Sequence, residues 1–184
     1  MASLRITSGT LRGRRVAIPP DDVRPTSERA RQAYFNIVAD RIAGAHFLDL
    51  FAGSGVFALE AISRGTASAT AVERDRRAAA AIANLAKAWS LPVTVVNDDA
   101  IAAMPRLKDV FDLVYADPPY GYERYGELLL TIEERLKLRN GALVVVEHRR
   151  RTEPFHAEPR RLTQIRRADY GEVSLTFFTK AENA

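Results

Sequence analysis

The sequence predicts an α/β domain: a mostly parallel sheet with helices on both faces, a C-terminal antiparallel hairpin and a small N-terminal extension. Three observations predict it. From His46 onward, strand-like apolar runs alternate with helical patterns, the rhythm of strand–helix–strand units around a parallel sheet. A glycine turn, Gly53-Ser54-Gly55, falls between the first of those strands and the helix that follows. The last two strand-like runs are joined by a short turn around Asp169-Tyr170-Gly171, too short for a helical crossover, so they pair as a hairpin.

The elements follow in order. Leu4–Thr7 and Arg15–Ile18 read as extended runs around the turn Ser8-Gly9-Thr10, and Pro19-Pro20-Asp21-Asp22 is a further turn. Arg24-Pro25-Thr26-Ser27 then offers a capping hydroxyl, Thr26 or Ser27, ahead of a helix. In that helix Ala30, Ala33, Tyr34, Ile37 and Val38 keep the i, i+3, i+4, i+7, i+8 spacing of one apolar face, with Arg29, Arg31, Gln32 and Asn36 largely off it. Strands are predicted at His46–Leu50, Ala69–Glu73, Val93–Asn97, Phe111–Ala116 and Leu143–Glu147. Helices separate them at Gly55–Arg64, Asp75–Trp89, Ala100–Leu107 and Tyr122–Leu138. The hairpin is Arg161–Arg167 with Val173–Thr179. Residues 1–26 form a basic β extension, and residues 27–184 the main domain.

Composition narrows the class. The chain has 184 residues, 47% hydrophobic and 27% charged, a length and balance that suit one folded domain. It has no cysteine, which excludes disulfides and Cys-ligated metal centres and fits a reducing cytoplasm. His46, His148 and His156 lack ligand spacing, so no metal is expected. The start has no apolar signal region, and no apolar run is long enough to span a bilayer. Every amphipathic stretch has a place in the fold, so a monomer is expected. Net charge is +4, unevenly spread: residues 1–41 carry eight basic and four acidic residues, residues 148–184 eight and five, and the stretch between them eleven and fourteen. Basic ends rich in arginine suit phosphate contacts and equally suit a solvated surface.

Asp49-Leu50-Phe51-Ala52-Gly53-Ser54-Gly55 ends the first core strand and opens a helix, and Glu73 ends the next strand. Glycines there let a ligand approach the backbone, and the acid can accept from ribose hydroxyls. Gly53-Ser54-Gly55-Val56-Phe57-Ala58 also satisfies the dinucleotide fingerprint G-x-G-x-x-A, so a nicotinamide-dependent dehydrogenase shares this signal. Asp49 leans the other way. A carboxylate ahead of the turn suits the cationic amino-acid end of S-adenosylmethionine better than a pyrophosphate.

Asp117-Pro118-Pro119-Tyr120 follows the fourth core strand, in the crevice where open α/β sheets bind ligands. The prolines stiffen the loop and remove two donors. The Asp117 carboxylate and the Pro118 carbonyl remain as acceptors beside an aromatic face, Tyr120. That set complements an NH2 group on a planar ring. An exocyclic amine is a poor nucleophile, because its lone pair is delocalised into the ring. Holding its hydrogens out of plane favours a pyramidal nitrogen whose lone pair can face a methyl donor. Among weaker candidates, Asp99 is either an adenine acceptor or a helix N-cap, Phe51 a cofactor border or core, and Trp89 packing rather than substrate stacking.

These residues resemble a family, the bacterial 16S ribosomal RNA guanine-N2 methyltransferases. The likeness covers nearly the whole chain. It takes in Arg5-Ile6-Thr7-Ser8-Gly9 with Leu11-Arg12-Gly13-Arg14-Arg15, Arg24-Pro25-Thr26 with Arg29 and Arg31, Asp49–Gly55, Glu73, Asn97–Ala100, Asp117–Tyr120 and Tyr170-Gly171. The resemblance implies a Rossmann-like methyltransferase fold of seven strands. It implies S-adenosylmethionine at Asp49, Gly53, Gly55, Glu73 and Asp99, with Phe51, Arg74 and Ala100 bordering it. It implies that Asp117, Pro118 and Tyr120 receive a flipped guanine of ribosomal RNA, within a small-subunit particle or assembly intermediate. Arg12, Arg14, Arg15, Arg24 and Arg31 are then expected on RNA phosphates. Adenine-N6 methyltransferases of DNA or RNA use a similar loop and remain an alternative.

Overall fold

The computed structural model describes residues 3–18, 28–151, 155 and 159–181. An N-terminal arm forms a two-stranded antiparallel sheet from β1 (Ser3–Arg5) and β2 (Arg15–Ala17). Helix α1 (Glu28–Ile37) follows, then β3 (His46–Asp49), α2 (Val56–Ser63), β4 (Ser68–Glu73), α3 (Arg76–Ala88) and β5 (Val93–Asn97). The chain continues through α4 (Ala100–Ala103), β6 (Val110–Ala116), α5 (Tyr125–Arg135), β7 (Lys137–Arg149), β8 (Leu162–Tyr170) and β9 (Val173–Lys180). The main sheet has seven strands in the order β5-β4-β3-β6-β7-β9-β8. The first five are parallel, and β9 runs antiparallel between β7 and β8. Chain order reverses between β3 and β6, which opens a crevice at the C-terminal ends of those two strands.

Alternation along each strand sends side chains to two separate cores. Phe47, Leu113, Tyr115 and Val145 pack under α1, α2 and α3, whereas Leu48, Val114, Val144 and Val146 pack under α4 and α5. Asp49 shares the face of Phe47, so it points into the first core, where it is 2% exposed.

Some boundaries differ from the sequence reading, each for a local reason. The helix expected at Tyr122–Leu138 is confined to α5, because Leu136 is already extended (φ −85°, ψ 142°). Lys137, Leu138 and Arg139 are exposed, buried and exposed in turn, and these residues lengthen β7 and pair with β6 as far back as Val110↔Lys137. The helix expected at Ala100–Leu107 is one short turn of α-helix followed by a 3-10 turn over Met104–Arg106, with Pro105 inside it. Strand β8 runs on to Tyr170 and leaves Gly171 (φ 63°) and Glu172 as a two-residue hairpin loop. The predicted cap at Thr26 or Ser27 and the boundary between residues 26 and 27 lie outside the described residues.

The arm is part of the body. Ile6, Leu11 and Val16 are buried in the first core. Ser63, the last residue of α2, staples the arm's turn: its carbonyl accepts from Thr10 N–H (2.8 Å), its hydroxyl oxygen accepts from Leu11 N–H (2.9 Å), and its hydroxyl donates to the Ser8 carbonyl (2.6 Å). Gly9 makes this possible, with φ +80° and no room for a side chain: a Cβ there would lie 1.7 Å from the Ser63 carbonyl oxygen. Gly9→Ala is therefore expected to lower stability by about 3 kcal/mol and the melting temperature by roughly 6–12 °C, through a left-handed strain and a backbone clash together. A thermal melt checks it, and a shift under about 2 °C would mean that the arm gives way at no cost.

Candidate active site

Four strands deliver their C-terminal residues to one end of the sheet. β3 brings Asp49, β4 brings Glu73, β5 leads to Asp98 and Asp99, and β6 leads to Asp117. Helix α2 lacks a side-chain cap, its N-cap being Gly55 at φ 77°. Asp49 fills that function from the preceding strand, accepting backbone hydrogen bonds from Phe51 and Ala58. Its Oδ2 is buried and has no hydrogen-bond partner among the described residues. Burial first, then the charges of Asp117 and Glu73, together raise the Asp49 carboxyl from 3.8 to about 8. Among the described residues no cation is a cause of that shift, and the carboxylates of Asp117 and Glu73 face the same cleft, so a cation entering it would favour ionised Asp49.

Glu73 is fixed rather than free. One carboxylate oxygen accepts from Gly53 N–H (2.7 Å) and the other from Asp75 N–H (2.7 Å). The Gly53 amide, expected to face a ligand, is thus engaged with Glu73. Gly55 also departs from expectation: a Cβ there would meet Ile82 of α3 at 2.7 Å, so the space belongs to helix packing. Asn97 ties the neighbouring ends together, its side-chain amide donating to the carbonyls of Glu73 (2.9 Å) and Arg74 (3.0 Å). Arg74 is exposed beside them. Asp99 is the N-cap of α4, its carboxylate accepting from Ile101 N–H (2.9 Å) and Ala102 N–H (3.2 Å), and Ala100 is buried behind it.

The loop after β6 stands across the crevice. Pro118 is buried, Asp117 is half-buried, and Tyr120 is 55% exposed with the Arg149 guanidinium 4.4 Å from its ring centre. An aromatic wall backs the loop. Phe51 meets Tyr122 edge-on (5.6 Å between ring centres), and Tyr122 meets Tyr125 (5.1 Å). The Tyr122 hydroxyl is buried and has no hydrogen-bond partner among the described residues, and burial pushes it up to about 12. Beside Asp49 on the adjacent strand, the Tyr115 hydroxyl donates to the buried Glu147 (2.5 Å), and its ring stacks on Phe57 (3.9 Å). Tyr122, Tyr125, Glu147 and Arg149 were not singled out from sequence. The only signal for the two tyrosines was their place just after Asp117–Tyr120.

The arginines expected on RNA separate into three cases. Arg31 is a correction: it is fully buried, its Nε pairs with Glu60 (2.9 Å), and its Nη2 donates to the Arg5 carbonyl (2.7 Å). It holds α1, α2 and the arm together and reaches no solvent. Arg12, Arg14 and Arg15 are exposed, but the arm's turn lies at the C-terminal end of α2, and Arg14 stacks on Trp89 (4.8 Å) at the C-cap of α3. Both helices run away from the crevice, so this turn sits at the opposite end of the sheet. Arg24 lies outside the described residues.

A pH response follows from Asp49. In the unfolded chain its carboxyl titrates near 3.8, in the folded one near 8, so between these values the folded state holds a proton that the unfolded state has released. Stability from this group is therefore highest below about pH 4, falls as pH rises to about 8, and then levels off. Asp49→Asn is expected to flatten that decline and to raise the melting temperature at pH 9 relative to wild type, while abolishing affinity for a cationic ligand. Melts at pH 6 and 9 check the sign, and an unchanged difference between the two pH values would remove Asp49 as the source.

Sheet order, crevice and loop define the class, a Rossmann-like methyltransferase fold. The family described as "Conserved hypothetical protein 95" matches residues 4–179. The ribosomal RNA small subunit methyltransferase D of Escherichia coli strain K12 is 37% identical over 146 residues, 78% of this chain and 74% of that protein. The chain belongs to this family, the one that takes in the small subunit methyltransferase D proteins. A solved structure described as "Putative methyltransferase yhhF from Escherichia coli" superposes with a TM-score of 0.86 at 30% identity, covering 99% of this chain and 100% of that one. An RNA methyltransferase from Salinibacter ruber in complex with S-adenosyl-L-homocysteine matches with a TM-score of 0.65 at 18% identity, over 88% of this chain and 96% of that one, and shares the fold. Among the described residues no group of His, Cys, Asp and Glu could hold a metal ion, and no helix is long and apolar enough to cross a membrane.

Proposed function

We propose that this chain transfers a methyl group from S-adenosylmethionine to the exocyclic N2 amino group of a guanine in 16S ribosomal RNA. One observation carries the reading. Asp49, whose buried oxygen has no partner among the described residues, and Asp117, with the stiff proline loop, stand at the ends of adjacent strands β3 and β6, where chain order reverses. A cationic methyl donor and a planar amine held at these two places would meet.

The residues fit the cofactor. Glu73 presents negative charge and Asp49 ionises as a positively charged group enters, whereas a dinucleotide's pyrophosphate would meet unfavourable charge there. When bound, S-adenosylmethionine supplies a sulfonium-activated methyl group. The protein's own contribution is orientation. The Asp117 carboxylate and the Pro118 carbonyl accept the two amino hydrogens, which favours a pyramidal nitrogen. Tyr120 offers a ring face for stacking the base. A base inside a helix cannot reach this loop, so the target is an unstacked nucleotide. Support for ribosomal RNA comes from the printed name of the Escherichia coli relative. Support for guanine and its N2 position comes from the resemblance in the basic opening and Arg24-Pro25-Thr26.

The test is methyl transfer from radiolabelled S-adenosylmethionine to 16S ribosomal RNA and small-subunit particles from cells lacking the enzyme, followed by nucleoside analysis. N2-methylguanosine is expected. Label on adenine would keep the methyltransferase and discard the guanine. No label, alongside measurable nicotinamide cofactor binding, would overturn the reading.

A further inference from the structure

A cluster of positive charge beside the crevice lies on the C-terminal hairpin side of the sheet. Strand β7 is parallel to β6, so its last residue, Arg149, ends at the same level as the Asp117–Tyr120 loop. Arg149, Arg150 and Arg151 are consecutive and exposed. Strand β8 runs up to this level too, because it is antiparallel to β9 and β9 is antiparallel to β7. It brings Arg167, whose Nη2 donates to the Arg150 carbonyl (2.6 Å). Asp169 fixes the group, its carboxylate lying 3.1 Å from Arg150 Nε and 3.7 Å from Arg167 Nε and accepting from the Ser174 hydroxyl (2.5 Å). Arg150 N–H donates to the Glu172 carbonyl (3.0 Å), which ties the end of β7 to the hairpin loop. Among the described residues, four arginines against the acids Asp169 and Glu172 leave this rim net positive. The Arg149 guanidinium stacks on the Tyr120 ring, so the rim is continuous with the loop that would receive the base.

We propose that Arg149, Arg150, Arg151 and Arg167 form the surface that meets the RNA phosphates flanking the target nucleotide. The proposal rests on the RNA reading above and specifies where that RNA lies. The N-terminal turn with Arg12 and Arg14, at the other end of the sheet, is too far to touch the same phosphates: α3 alone, with 13 residues, is about 20 Å long. Arginine suits the task because its planar fork binds phosphate oxygens in pairs and stacks on rings. The rim's contacts set affinity and orientation and leave base choice to the loop.

The test measures the salt dependence of binding to a 16S ribosomal RNA transcript for three variants beside wild type. In Arg149→Gln/Arg151→Gln, losing two phosphate contacts should reduce the slope of log affinity against log salt by about 1.4, with affinity about tenfold weaker at moderate salt. Arg151→Gln alone, which leaves the Tyr120 stack intact, should give about half the change in slope. Arg135→Gln/Lys137→Gln removes the same charge at the far end of the sheet and should leave the slope within about 0.3 of wild type. S-adenosylmethionine affinity should stay within twofold in all three. An unchanged slope in the rim variants, or an equal fall in the far-end variant, overturns the proposal. A wild type that methylates no RNA would instead overturn the functional reading, so the two failures are distinct.

Discussion

Replacing Asp117 by alanine is expected to lower methyl transfer on the order of 10³-fold while changing affinity for S-adenosylmethionine only a few-fold. The amine is activated by acceptors placed for its hydrogens, and losing one such preorganised partner is worth roughly 10²–10³ in rate. Asp117 supplies the charged acceptor, and a charge-assisted bond is about twice as strong as a neutral one, which puts the expected loss at the upper end. Two opposing effects hold cofactor affinity nearly constant. Asp117 raises the Asp49 carboxyl, so its loss lets Asp49 ionise more readily and favours a cationic ligand. Its loss also removes a negative charge from the same cleft, which disfavours one. RNA affinity should be almost unaffected, because phosphate contacts dominate it. Asp117→Asn keeps one acceptor but turns an NH2 towards an NH2, and should fall between wild type and alanine. Single-turnover methyl transfer and separate cofactor titration distinguish these effects. A fall of less than about tenfold in transfer would mean that the Pro118 carbonyl suffices.

The parallel sheet and the placement of the cleft were legible because they depend on local order. Alternating apolar runs, a glycine turn after the first of them and a short C-terminal hairpin are written within a few residues each, and each run found its strand. Arg31 was not legible. It sits at the edge of the apolar stripe, three residues before Tyr34 and seven before Val38, on a side where a charged residue normally turns to solvent. Helix α1 is covered on that second side by the arm and α2, and the partner, Glu60, is 29 positions away in sequence. Gly55 shows a different gap. The G-x-G pattern states that side chains are excluded, but only packing shows that Ile82 is what excludes one. The basic ends are a third case. Composition gives the charge of a segment, and the direction of β2, α2 and β7 decides at which end of the sheet it lies. The N-terminal turn goes to the far end and the Arg149–Arg151 run to the near one.

Glu60→Gln is the substitution expected to cost the fold most. Glu60 is fully buried in α2 and is the common acceptor of a four-part junction. Arg31 Nε lies 2.9 Å from it, Arg64 donates from Nη2 (2.8 Å) and Nε (3.1 Å), and the Thr7 hydroxyl donates to it from the arm. Glutamine keeps the shape and removes the charge, leaving the fully buried Arg31 guanidinium uncompensated. Breaking a buried pair from one side costs about 3–5 kcal/mol, which for a domain of this size lowers the melting temperature by roughly 6–20 °C. Arg64 is the lesser concern, because its side chain is 14% exposed and also lies over Phe35 (4.7 Å), so it can turn its charge to water. Arg31→Met should therefore cost less than Glu60→Gln, since Glu60 keeps Arg64. The double variant Arg31→Met/Glu60→Gln should recover part of the loss, the mark of a direct coupling. The effect reaches the site through α1. Tyr34 lies on that helix, its ring 4.9 Å from Tyr115, which lies beside Asp49 on the adjacent strand and bonds Glu147 through its hydroxyl. Loosening α1 should thus weaken cofactor binding in the folded fraction as well as stability, whereas Gly9→Ala, acting at the far end of α2, should leave cofactor affinity within twofold. Denaturant melts of the four-member cycle, with cofactor titration of each variant, decide it. Additive losses would show that Arg31 and Glu60 are merely neighbours.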